Sequence, residues 1–454
     1  MLLEVQPDRA CYRPGETVRL LVSSNSPTSV ETGRKVRIVA SIAFLADEAA
    51  RITGTVQLTN RSTVTAELAW MPPPVAPRGN GVDLQALDVS GRVLATASTA
   101  FDLLEHWTQA PRYGFMSDFS PGRTDFDQAM RWLARYHFNG QQFYDWMYRH
   151  DQLLPPDDVF DDPLDRRLSL DTVRKLIDAA HARGLAAMPY TAVYGASPSF
   201  FQQHADWALY DGEGEPIPFA DGFLMIMNPA PGTPWTEHLL GQFDEVLDST
   251  DFDGIHLDQY GDPKVAYDAS GDQVDLSRAL PRFIALTKGR AGLARPGAVV
   301  VFNCVGNWPI ESVARSEQDF VYIEVWPPHI RYSDLHLLIV EAQAHSQGKP
   351  VVLAVYIDPA RARSARLADA VILASGGYHI ELGERGMMLA DPYFPACKPL
   401  GDRIAGVLRR YYDFAVRYEN VLALNTHDAT PDYQGRLRIE GLSTGTGRAG
   451  NHVW

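Results

Sequence analysis

The chain has 454 residues, more than one hydrophobic core usually supports, so two or three domains are expected. Its 45% hydrophobic and 21% charged residues are a globular composition, and a formal net charge of −15 argues against a nucleic-acid or anionic-membrane partner, since both need a basic footprint. Three scattered cysteines, Cys11, Cys304 and Cys397, exclude a disulfide framework and fit no metal-ligand spacing.

The opening residues carry no basic segment followed by an apolar run, and no later stretch is long enough to span a bilayer. The expectation is a cytoplasmic protein, or a secreted one whose leader has been removed. Residues 1–105 then read as short alternating segments: Thr17–Val22, Lys35–Val39, Thr53–Leu58, Thr63–Leu68 and Val82–Leu87. Turn residues such as Pro14-Gly15 and Ser90-Gly91 separate them. Period-two patterning at this spacing predicts an immunoglobulin-like β-sandwich domain.

From Tyr113 the rhythm changes. Over Asp171–Arg183, residues Val173, Leu176, Ile177 and Ala180 share one helical face, Gly184 stands where a left-handed cap belongs, and the apolar strand Leu185–Tyr190 follows at once. The same glycine-then-strand signature recurs at Gly140, Gly254, Gly297 and Gly348. Adding Tyr113–Ser117, Phe320–Ile323 and Ala370–Ala374 gives eight candidate strands, which predicts a (β/α)8 TIM barrel over residues 106–418. The aromatic-rich stretch from Gly195 to Trp235 follows a barrel strand, so it is expected to shape a ligand cleft or, on the rival reading, to form a flap that merely covers the barrel. Residues 419–454, with Val421–Leu424 and Leu437–Glu440 read as strands, form a C-terminal β segment too short for a core of its own, so an incomplete domain is expected.

Barrel enzymes place chemistry at the C-terminal ends of strands. Gly254-Ile-His-Leu-Asp-Gln-Tyr-Gly261 delivers Asp258 to the end of the fourth strand, and Phe320-Val-Tyr-Ile-Glu-Val-Trp326 delivers Glu324 to the end of the sixth. Both strands are even-numbered, so their inward side chains share layers and the two acids converge. Paired carboxylates are what glycosidic bond cleavage needs: one attacks or stabilises the anomeric carbon, the other protonates the leaving oxygen. Tyr322 and Trp326 give Glu324 an apolar setting suited to a general acid, while His256 and Gln259 give Asp258 polar company suited to an ionised nucleophile. The bland alternative for either acid is a loop ion pair or helix cap.

Tyr113–Ser120, Tyr136–Trp146, Gly254–Gly261 and Tyr322–Trp326 together resemble glycoside hydrolase family 66, the dextranases and cycloisomaltooligosaccharide glucanotransferases, over residues 107–425. The resemblance implies a β-domain before the barrel and retaining cleavage of α-1,6-linked glucan, with Asp258 as nucleophile and Glu324 as acid/base. It also implies that cyclising members carry a module inserted late in the barrel, for which the run from Val351 to Ala370 leaves no room, and that members continue into a C-terminal β-domain, so this chain is expected to be truncated or divergent there. Hydrolysis is therefore expected over cyclising transglycosylation, and a non-catalytic carbohydrate-binding protein is the remaining alternative. The expected partner is an α-glucan, with no cofactor.

For sugar contacts, Asp118, Asp145, His256, Gln259, Asn303 and Glu381 offer hydrogen bonds, while Trp146, Tyr190 and Trp326 offer faces for a pyranose ring. Each has a structural alternative in loop bracing or core packing. The letters of a dinucleotide fingerprint at Gly445–Gly450 lack the strand and helix they need, and no HExxH helix or His-x-His pair points to a metal-dependent hydrolase.

Overall fold

The protein is described from a computed structural model covering residues 2–25, 35–57, 63–424 and 426. Seven N-terminal strands form two antiparallel sheets. Leu2–Pro7, Val18–Asn25 and Thr63–Trp70 make one; Asp47–Gln57, Lys35–Phe44, Arg78–Leu87 and Val93–Leu103 make the other, in that spatial order. The reason is visible in Lys35–Phe44, where Val36, Ile38, Ala40 and Ile42 are buried between outward-facing neighbours. These residues join Leu20, Val22, Leu84 and Phe101 in one core drawn from both sheets. Each fully buried Val, Leu or Ile there contributes about 1.5 to 3 kcal/mol.

The first and last strands escape the sequence reading. Val93–Leu103 runs through Ala95-Thr-Ala-Ser98 in place of an apolar alternation, then ends in five consecutive buried residues. It is covered on its second face by the helix Asp402–Arg417, where Thr99 Oγ1 donates to Asp413 at 3.1 Å.

Beyond Leu103 the chain builds a TIM-like domain. Parallel strands Tyr113–Met116, Gly140–Phe143, Ala186–Ala192, Gly254–Asp258, Val299–Asn303, Val321–Glu324, Val351–Ala354 and Tyr378–Ile380 lie side by side in chain order. The chain runs on through Glu381 to Leu382–Gly383, where Gly383 pairs in parallel with Phe115 and links the eighth strand back to the first. Inward side chains, among them Tyr113, Met188, Val301, Tyr322, Val352 and Ile380, pack with one another. Outward ones, such as Ile255, Val300 and Leu353, meet the helices.

Two glycines explain how the repeat closes. At Gly184 the backbone is left-handed, with φ of 70°, and the Gly184 and Leu185 amides donate to the His181 and Ala180 carbonyls, ending the helix Leu170–Ala182 as the sequence predicts. At Gly254 a Cβ would sit 1.8 Å from the Val299 carbonyl oxygen, so only glycine lets the fifth strand approach.

Two expected strands are corrected. Ala370–Ala374 is the tail of the helix Ala362–Ala374, which buries Ala365, Ala368 and Ile372 on one face; a five-residue apolar run fits either period, and the flanking helix decides. The eighth strand is Tyr378–Ile380. Val421–Leu424 is not a strand either, because Glu419–Leu422 forms a helical turn. That turn is held by Glu419, which accepts from Arg112 Nη1 at 2.8 Å, while Arg112 Nη2 donates to Asp102 at 2.5 Å and Nε to the His137 carbonyl at 2.6 Å. All three charged groups are buried, so strand 93–103, the entry to the TIM-like domain and the last described helix are tied at one point. Leu437–Glu440 and Gly445–Gly450 lie outside the described residues.

Candidate active site

Five successive strands, the third to the seventh, each bring one polar side chain to the same end of the sheet. Asp258, Asn303 and Glu324 are the last residues of the fourth, fifth and sixth strands. Asn303 therefore stands between the two acids, and its Nδ2 donates to Asp258 Oδ1 at 2.8 Å and to Glu324 Oε2 at 3.0 Å. Those two bonds to one nitrogen hold Asp258 Oδ1 and Glu324 Oε2 within about 6 Å of each other. Tyr190 of the third strand donates to Asp258 Oδ2 at 2.7 Å, and Tyr356, two residues past the seventh, donates to Glu324 Oε1 at 2.5 Å. Every carboxylate oxygen of the pair thus has a donor.

The electrostatics differ from the expectation. Burial first, and then the neighbouring Glu324 charge, push the Asp258 carboxyl up to about 7, only partly offset by the Tyr190 and Asn303 hydrogen bonds. Sequence neighbours mislead here. Gln259 turns its amide away to the Trp308 carbonyl, at 2.6 Å, and His256 lies in the barrel interior. There it meets the Tyr113 hydroxyl at 3.2 Å, and burial lowers it to about 3, so it is a neutral packing group. The polar donor that matters for Glu324, Tyr356, is distant in sequence.

The remaining sequence candidates divide. Tyr190 faces the pair but is almost fully buried, with its ring 4.8 Å from that of Tyr144. Trp326 is 39% exposed at the rim, its ring 6.3 Å from Tyr356. Asp145 follows the second strand in a left-handed conformation, φ 50°, with its carboxylate 3.9 Å from Arg166; burial pushes it up to about 7. Asp118 is braced by Arg385 at 2.6 Å and by Ser120, which makes it part of a loop ion network.

Two candidates are placed elsewhere. Trp146 is fully buried with its Nε1 on the Tyr190 carbonyl and its ring against Phe252, so it is core and offers no face to a sugar. Glu381 points to the outer face of the eighth strand, where it accepts from Tyr412 at 2.8 Å. With the eighth strand at Tyr378–Ile380, Ile380 faces the interior and side chains alternate, so Glu381 falls on the outer face.

Tyr356, Tyr144 and Tyr194 are the residues missed. Tyr144 stacks on Phe394, with ring centroids 4.3 Å apart, and Tyr194 stands 5.5 Å from Tyr260. Position just past a strand end is the signal each carried. The segment Gly195–Trp235 contains a three-stranded sheet and the helix Pro198–Gln203. Leu209, Ile217, Leu224 and Ile226 there share a core with Tyr194 and Ala266, which seats this lobe at the ends of the third and fourth strands.

Against known proteins, the family model for glycosyl hydrolase family 66 matches residues 7–454. The chain belongs to glycosyl hydrolase family 66. Among curated members it is 28% identical to a cycloisomaltooligosaccharide glucanotransferase of Niallia circulans, over 77% of this chain and 38% of that protein. It is 23% identical to a dextranase of Streptococcus salivarius, over 75% of this chain and 49% of that protein. The chain therefore spans less than half the length of these family members. Among solved structures, a Paenibacillus cycloisomaltooligosaccharide glucanotransferase complexed with cycloisomaltoheptaose superposes with a TM-score of 0.85 at 22% identity, covering 93% of this chain and 82% of that one. This likeness establishes the fold.

Proposed function

We propose that this family 66 protein is a retaining glycoside hydrolase acting on α-1,6-linked glucan, dextran or isomaltooligosaccharides, by double displacement. The observation that carries the reading is the single Asn303 nitrogen within hydrogen-bond distance of both acids. Carboxyl groups brought this near each other suit attack by one carboxylate with protonation by the other. Asp258 attacks the anomeric carbon to form a glycosyl ester, while Glu324 gives its proton to the departing glycosidic oxygen. Glu324 then takes a proton from water, and the resulting hydroxide oxygen displaces Asp258 with net retention.

The assignment of nucleophile and acid within the pair is supported by the family pattern around Asp258 and Glu324. Asp145, Tyr190, Asn303 and Trp326 are read as the sugar-contacting set, with Tyr356 added. We also read residues 1–105 as an immunoglobulin-like domain, on its three-against-four strand arrangement, and residues 106–418 as a (β/α)8 barrel.

Incubation with a panel of α- and β-linked glucans, followed by sizing and NMR of the first-formed anomer, tests this reading. Release of the α-anomer from α-1,6-glucan is expected; an inverted product or an active Asp258→Asn protein overturns it. Transglycosylation is the second reading, favoured by the glucanotransferases among the relatives. Only residues 355–361 separate the seventh strand from its helix, which leaves no inserted module of the kind expected in cyclising enzymes. Product masses at high oligosaccharide concentration separate the two.

A further inference from the structure

On the outer face of the eighth strand lies a second cluster that the proposed reaction does not use. Asp369 comes from the helix Ala362–Ala374, and His379 and Glu381 come from the strand and its continuation. All three are at least 95% buried, and one potential ligand atom from each lies within 4.8 Å of the others. It is the one such group of three or more found among the described residues. His379 Nδ1 is 2.8 Å from Asp369 Oδ1 and 3.6 Å from Glu381 Oε2. We propose that Asp369, His379 and Glu381 hold one divalent cation of the zinc class, as a structural pin behind the barrel.

Two further observations point to a ligand. Asp369 Oδ2 and Glu381 Oε2 are buried oxygens that accept no hydrogen bond, a costly state unless something else satisfies them. A cavity of about 20 Å³ opens beside the cluster, lined by Asp369, His379 and Tyr412 among others. It has room for one water, which supplies a fourth ligand. Arg112 also lines this cavity, but its guanidinium is committed to Asp102 and Glu419.

The surroundings match an ion site as well. His379 Nε2 is 3.2 Å from the Val355 carbonyl, the outer hydrogen bond that orients a ligating imidazole and leaves Nδ1 for the metal. Tyr412 donates to Glu381 Oε1 at 2.8 Å, fixing that carboxylate in turn. Tetrahedral zinc, with bonds of about 2.0 to 2.2 Å, sets ligand atoms about 3.3 to 3.6 Å apart; the His379–Glu381 separation of 3.6 Å matches, and the 2.8 Å hydrogen bond from His379 to Asp369 has to open by under about 1 Å as the ion replaces its proton. One imidazole with two carboxylates suits zinc or manganese better than calcium or magnesium, which prefer all-oxygen shells. Binding releases the proton that His379 Nδ1 shares with Asp369 and the one the buried Glu381 carboxyl holds, so the ion is balanced by two carboxylates.

The test uses the full chain, freed of any histidine tag. Metal analysis after equilibration with Zn2+ and desalting is expected to find about one ion per chain, and the stripped protein is expected to develop cobalt absorption bands with Co2+. Chelator should lower Tm, and Glu381→Gln or His379→Gln should lose both the ion and the chelator effect. Less than about a tenth of an ion per chain in the wild type, or equal zinc in the variants, overturns the proposal. Should the variants fail to fold, the cobalt titration of the stripped wild type decides alone, and absence of the bands overturns it. Neither readout depends on glucan cleavage.

Discussion

Two acid clusters flank one sheet, and each is bridged by a nitrogen group of a different kind. At the strand ends, Asp258 and Glu324 share a neutral amide between them, with a tyrosine hydroxyl on each flank. On the outer side, Asp369 and Glu381 share an imidazole between them, and one oxygen of each acid lacks a donor. A bridging amide fixes position without adding charge. A bridging imidazole supplies a metal ligand. Placement on the inner or outer face of a strand, not acidity, separates chemistry from structure.

The largest test of that contrast is removal of one inner acid. Asp258→Asn or Glu324→Gln is expected to lower kcat by about 10^4-fold or more, while the circular dichroism spectrum is retained. A loss under about tenfold would erase the distinction between the clusters. Next comes the bridge: Asn303→Ala removes charge-assisted bonds worth about 1.5 to 3 kcal/mol each, so kcat should fall about 10- to 100-fold with a smaller change in KM. A pure KM effect would make Asn303 a sugar ligand only.

A third prediction concerns pH. Because folding raises the Asp258 carboxyl from an ordinary 3.8 to about 7, the folded protein binds the extra proton; stability is greatest below about pH 4 as far as this group is concerned and falls as pH climbs to about 7. Asp258→Asn should flatten that slope and raise the unfolding free energy at pH 8, by an amount on the order of a few kcal/mol at most. Urea unfolding of both proteins at pH 5 and 8 measures it, and an unchanged slope would contradict the assignment. The smallest effect belongs to the rim. Trp326→Ala should raise KM about three- to tenfold, the worth of one aromatic contact, and kcat less.

Much of this was legible in the sequence because it follows short rules. Gly184 and Gly254 marked a cap and a close strand approach, and Asp258, Asn303 and Glu324 were visible as strand ends. What was not legible depends on contacts between distant segments. Ala370–Ala374 is apolar at either period, and only the flanking helix shows that the eighth strand comes later, at Tyr378–Ile380. Trp146 looks the same as a sugar platform or as core until Phe252 is seen against it. Tyr356 offered its strand-end position alone, and its bond to Glu324 joins neighbouring strands.

The buried Arg112 tripod limits how this molecule can be taken apart. Cutting the chain after the sandwich would take Asp102 from the buried Arg112 and leave it with Glu419 and the His137 carbonyl; losing one partner of a buried pair costs at most about 3 to 5 kcal/mol, against a total stability of about 5 to 15. The sandwich is thus a counter-ion for its neighbour as well as a module beside it. A shortened form would have to replace Arg112 and Glu419 together, with apolar residues of similar volume, before dispensing with the first hundred residues.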